Sequence, residues 1–215
     1  MQTVRNPAVA GLFYPADAME LKAQVRQFLD QIQPLAEPPP KAIIAPHAGY
    51  VYSGPIAASA YARLLAARDI IRRVVLLGPS HRVGFHGIAI SGMEVFATPL
   101  GQIMIDQAAI QQLERQPEVG FLEQAHAREH SLEVHLPFLQ ETLDSFQLVP
   151  LVVGDAQPAE VGAVLEILWG GPETLIVISS DLSHYHDYAT ARLLDEATSK
   201  AIEALRFEDI GYEQA

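Results

Sequence analysis

Cysteine is absent from the 215-residue chain. That excludes disulfides, thiolate nucleophiles and cysteine-held metal clusters within the sequence given. Long apolar runs are absent too, since none approaches the ~20 residues that span a bilayer. The start, MQTVRNPAVAGLFYP, lacks a basic opening followed by a long apolar core, so no signal peptide is expected. Charge is scarce at 19%, and its balance is acidic, with a formal net charge of −12. A surface of that sign repels phosphate backbones, which argues against nucleic acid or anionic membranes as partners. Cytoplasm is the default location. Neither a G-x-G-x-x-G fingerprint nor a P-loop occurs, and GPSH at 78–81 lacks the spacing of a nucleophile elbow.

What the chain does have is apolar content, 49% of its residues. That suits one α/β domain over residues 1–215. No internal repeat is visible. The stretch QPLAEPPPKA (33–42) carries three successive prolines that forbid helix or central strand, and it reads as a connection inside the domain.

Helical periodicity is clear in several places. From Asp17, DAMELKAQVRQFLDQI sets Leu21, Val25, Phe28, Leu29 and Ile32 on one face, and Asp17 and Glu20 have capping-box spacing. GPIAASAYARLLAA places Pro55 at a first helical position. Further helices are expected from Asp106, Pro158 and Asp187. Strands are expected at 42–45, 73–78, 87–91, 147–154 and 174–180, as continuous apolar runs covered on both faces. Alternation of the two types predicts a mostly parallel central sheet with helices on both faces.

Ligands in open α/β sheets gather beyond the carboxyl ends of the strands. His47 follows the first expected strand. His81 and His86 follow the second. Asp181, His184 and His186 follow the last. Three strands thus deliver histidine to equivalent places, which points to one shared crevice. Imidazole suits iron, copper, zinc and nickel, and two histidines with one carboxylate make the non-haem Fe(II) arrangement. Asp181 or a glutamate is a candidate for that carboxylate, and zinc fits the ligand chemistry equally.

A second cluster, HAREHSLEVHLPFLQ (126–140), holds Glu129, His130 and Glu133. A helix from Ser131 would bury Leu132, Leu136, Leu139 and Leu143, with the acidic groups near its positive end. Pro137 would kink it. In the alternative reading, His130 and Glu133 point into the crevice as acid/base or supporting groups. Tyr50, Tyr52 and Trp169 read most simply as packing residues.

Taken together, RNPAVAGLFYP, IIAPHAGYVYSG, LLGPSH, TPLG, EHSLEVHLPFL and SSDLSHY resemble the Memo-like family, in order and over residues 5 to 188. That family is similar to class III extradiol ring-cleaving dioxygenases, with the fold of the catalytic B subunit of protocatechuate 4,5-dioxygenase. Its prokaryotic members are called the B component of the AmmeMemoRadiSam system. The resemblance implies a histidine-lined metal pocket with counterparts at His47 and His81. Asp181 and His184 match other pocket residues, and His130 and Glu133 fall in an EHS-x-E motif. The family also carries a late Cys-Gly motif. This sequence has no cysteine, so it is expected to lack a C-terminal segment of the family.

The expected function is a metal-dependent oxidoreductase of the non-haem iron dioxygenase type, acting on a small aromatic-type substrate. Fe(II) is the expected metal, with copper or zinc as alternatives. His47, His81 and His184 are the expected ligands, and His184, Asp181, His130 and Glu133 the expected catalytic groups. The alternative is a non-enzymatic module that binds metal, a small molecule or a peptide in the same pocket. A third reading is a zinc hydrolase.

Overall fold

The structure is a computed structural model that describes residues 2–33 and 37–211. Residues 34–36 of the proline-rich connection and 212–215 of the tail lie outside the described residues. Contacts divide the chain into two compact units, Met1–Ser179 and Ser180–Ala215, each described by itself.

The first unit runs β1 (Val4–Arg5), α1 (Ala18–Asp30), β2 (Ala42–Ala45), α2 (Tyr50–Tyr61), β3 (Arg73–Pro79), β4 (Ile88–Ile90), β5 (Val95–Thr98), β6 (Gly101–Met104), α3 (Gln107–Leu113), β7 (Val119–Phe121), α4 (Glu123–Ala127), α5 (Leu136–Thr142), β8 (Gln147–Val153), α6 (Pro158–Leu168) and β9 (Thr174–Ser179). Six strands make the main sheet, in the order β2-β9-β3-β8-β4-β7. Its pairs are parallel except β4 with β8. The expected α/β class with a mostly parallel central sheet is therefore what the chain forms. In β3, Val75 sits level with Val149 of β8 and Ile176 of β9. Val74, Val75, Leu76 and Leu77 are all buried, which is why this run is continuously apolar rather than alternating. A second sheet, β1-β5-β6, pairs the N-terminal segment with a hairpin.

Local chemistry sets the helix ends. Asp17 caps α1 by accepting from the N–H groups of Met19 and Glu20. Leu21, Val25 and Leu29 then bury against the core, each worth roughly 1.5–3 kcal/mol of transfer free energy. Asp106 caps α3, and Gln157 with Glu160 forms a capping box on α6. In the second unit, Asp187 caps α7 (Tyr188–Glu203). No helix among the described residues is long and apolar enough to cross a membrane.

Three expectations need correction. Pro55 does not open α2; the helix starts at Tyr50 and contains the proline. Tyr50 anchors that earlier start, since its N–H donates to Phe13 O and its hydroxyl to Val134 O. Pro55 is tolerated because it lies on the exposed face, where water can solvate the Val51 carbonyl that loses its partner. Tyr50 packs as expected, but Tyr52 is 81% exposed.

The helix expected from Ser131 does not form there either. A 3-10 turn spans Glu133–His135, and α5 follows with Pro137 in its first turn, where the missing N–H costs nothing. Just before that turn, the Glu129 carboxylate accepts from the N–H groups of His130 and Ser131.

Candidate metal centre

Strand β2 ends at Ala45, and His47 follows at the sheet edge, 3% exposed. Ala45 is level with Ser179, the last residue of the neighbouring β9. That register puts Ser179 Oγ 2.7 Å from His47 Nδ1, and the same hydroxyl donates to Ser131 O at 2.7 Å. On the other side of β9, β3 ends at Pro79 and delivers His81. The two histidine-bearing strands thus flank β9, and the convergence expected from topology holds for this pair.

His130 joins them from the loop before the 3-10 turn rather than from a strand end. Its ring centroid lies 4.4 Å from that of His81 and 5.5 Å from that of His47, while His47 and His81 are 5.1 Å apart. One ligand nitrogen from each of the three rings lies within 4.8 Å of the others. Exposure grades across the group, from buried His47 through half-buried His130 to exposed His81. Phe13 packs its ring 4.6 Å from that of His130.

Behind His81 sits Glu129, only 1% exposed. Its Oε2 accepts from His81 N at 2.7 Å, and its Oε1 lies 2.8 Å from His81 Nδ1. Oε1 also accepts from His130 N and Ser131 N, both at 2.9 Å. Burial by itself raises the pKa of this carboxyl. The hydrogen bonds from the His81 ring and backbone and from Ser131 outweigh that and, with the His81 charge, hold it at about 2. The carboxylate is therefore ionised. Of the acidic groups expected near a helix start, Glu133 lies in the first turn of the 3-10 segment that leads into α5, while Glu129 lies before it and is held by His81 and the local backbone.

Glu133 is fully buried on another network. It accepts from Arg5 Nη1 at 2.6 Å, Tyr14 OH at 2.6 Å, Ala8 N at 2.8 Å and Val9 N at 2.9 Å. Arg5 also donates to the carbonyls of His126 and Glu129. Burial first, then the Glu133 charge, pushes the Tyr14 hydroxyl far above its ordinary range. The RNPAVAGLFYP segment is thus pinned to the EHS-x-E segment.

Of the other histidines in this unit, His126 donates from Nε2 to Ala89 O, and burial lowers its pKa to about 4. His135 meets the Tyr61 hydroxyl at 2.9 Å; burial first and the His47 charge second lower it to about 3. Both rings are structural and neutral. His86 pairs at the surface with Asp155. Asp181 and His184 belong to the second unit, where His184 Nε2 lies 3.9 Å from Asp181 Oδ2. Sequence reasoning missed Glu129 and Ser179 as partners of the ligand histidines. For Glu129 a signal existed, its place beside His130; for Ser179 none did, because only the β2–β9 register sets it against His47.

A family model described as Memo-like protein matches residues 5–213. A MEMO1 family protein of Aquifex aeolicus is 39% identical over 211 residues, covering 96% of this chain and 77% of the relative. Protein MEMO1 of Danio rerio is 36% identical, and that of Homo sapiens 33%, each over 216 residues covering 95% of this chain and 71% of the relative.

Proposed function

The chain belongs to the Memo-like protein family, and we propose that its three-histidine group holds Fe(II) in a metal-dependent oxidoreductase acting on a small aromatic-type substrate. The observation that carries this reading is the approach of one nitrogen each from His47, His81 and His130 to within 4.8 Å. The donors fit the metal, since imidazole binds iron, and equally copper or zinc. The ionised Glu129 on the far nitrogen of His81 supplies negative charge behind a ligand, as carboxylates do at histidine metal sites. When bound, the metal supplies Lewis-acid polarisation and, for iron or copper, redox capacity.

The chain's own residues supply the frame. His47 is fixed in the interior, while exposed His81 leaves the group open to a ligand. His130 serves as third ligand in this reading. Glu133 acts through the N-terminal segment it holds, rather than on substrate.

The test is anaerobic reconstitution with Fe(II), metal analysis, and oxygen uptake against a panel of catechols. Stoichiometric iron with substrate-dependent oxygen consumption is expected. Iron or copper bound without turnover would favour a metal- or peptide-binding module. The all-imidazole donor set is also one that catalytic zinc takes, so zinc with ester or amide hydrolysis would favour a hydrolase. A His47→Ala, His81→Ala double variant that binds metal as well as the parent overturns the site itself.

A further inference from the structure

We propose that Ser179 and Glu129, neither of them a ligand, are positioning residues that set His47 and His81 in the Nδ1–H tautomer and so leave Nε2 of each ring as the nitrogen for a metal. The inference deepens the metal-centre reading; its consequence for metal binding rests on that reading, and the tautomers rest on hydrogen-bond accounting alone.

A serine hydroxyl has one hydrogen to give. Ser179 Oγ gives it to Ser131 O at 2.7 Å, and a carbonyl oxygen can only accept. Toward His47 Nδ1, also at 2.7 Å, the hydroxyl is left as the acceptor. The proton of the neutral His47 ring is therefore on Nδ1. Glu129 reaches the same result for His81 by a different route. Its two oxygens accept from three backbone N–H groups, those of His81, His130 and Ser131. A carboxylate that collects donors in this way has only acceptor capacity to offer His81 Nδ1 at 2.8 Å, so that nitrogen is the donor. A ring nitrogen held by such a partner fixes which nitrogen faces the metal.

The two devices meet at one residue. Ser131 accepts from Ser179 through its carbonyl, donates to Glu129 through its N–H, and donates from Oγ to Pro79 O at 2.8 Å. It is completely buried. Gly78 of β3 makes this approach possible, because a Cβ there would stand 2.9 Å from Ser131 Oγ and from Leu132 Cδ2. One buried serine therefore ties together the supports of two ligands that arrive from different strands.

The experiment records long-range 15N–1H correlations of histidine-labelled, metal-free protein under mildly alkaline conditions, with rings assigned through single His→Ala variants. Both His47 and His81 are expected as Nδ1–H tautomers in the parent, and a ring found as Nε2–H overturns the assignment for that residue. Ser179→Ala should release His47 and leave His81 unchanged, Glu129→Gln should do the reverse, and Ser179→Thr should restore His47. Chelator competition with Co(II) as the probe should show ~10–100-fold weaker binding in Ser179→Ala and Glu129→Gln, and parent-like binding in Ser179→Thr. Unchanged Co(II) affinity in both losing variants would overturn the positioning role. Nδ1–H tautomers in a parent that binds no Co(II) would instead overturn the metal reading and leave the hydrogen-bond assignment standing.

Discussion

Glu129 and Glu133 are four residues apart in one segment, equally buried, and each is surrounded by hydrogen-bond donors. Glu133 faces a guanidinium, a phenol and two backbone N–H groups, all from the N-terminal segment. Glu129 faces three backbone N–H groups and the ring of His81, which belongs to a group with metal-ligand spacing. The first network ties the N-terminal segment down, and through Arg5 it reaches the Glu129 carbonyl but not its carboxylate. The second passes its charge to an imidazole that is exposed on its other side. Two carboxylates of the same type and burial thus do different work because of what donates to them.

Variants can pull this contrast apart. The largest effect is expected at Glu133, since Glu133→Gln leaves the Arg5 guanidinium buried without its counter-charge. Breaking a buried pair from one side costs about 3–5 kcal/mol, so a denaturant titration should show a loss of that size, with Co(II) affinity of the folded fraction moving less than in Glu129→Gln. Glu129→Gln should reverse that pattern. It leaves a buried N–H facing an amide NH2, which costs about 1–3 kcal/mol of stability, and it carries the larger drop in metal affinity. Tyr14→Phe removes one hydrogen bond to a charged oxygen, worth roughly 1.5–3 kcal/mol, a loss of stability comparable to that of Glu129→Gln but with no change in metal binding. If Tyr14→Phe weakens metal binding as much as Glu129→Gln does, the two networks are not separate.

Acid should sort the two kinds of buried group by where stability is lost. His135 titrates at about 3 in the folded chain against roughly 6.5 when unfolded. Its neutral form thus contributes stability that is full above about 6.5 and declines as pH falls toward 3. Glu129 titrates at about 2 against roughly 4.3 unfolded. Its contribution is full above that value and is lost as pH falls through about 2. His135→Gln should flatten the upper part of the acid limb, and Glu129→Gln the lower part, in unfolding measured at a series of pH values.

Much of the frame was legible in the chain. Capping residues at Asp17, Asp106 and Asp187 marked three helix starts, and continuous apolar runs marked β2, β3, β8 and β9. His47 and His81 could be read as strand-end ligands because their strands carry a strong local signal. Short β1 and β7 could not, since two or three residues pair only in the presence of a distant partner. His130 and Glu129 were legible as a cluster but misplaced on a helix. The Glu129 carboxylate accepts from the backbone beside it and also holds His81, and nothing local reveals that second attachment.

The most direct measurement is X-ray absorption at the metal edge of the Fe(II)-loaded chain, in the parent and in His47→Ala, His81→Ala and His130→Ala. The account predicts an imidazole scattering pattern of three rings in the parent, falling to two in each variant that retains iron. A parent spectrum without imidazole scattering, or one that none of the three substitutions alters, would contradict it.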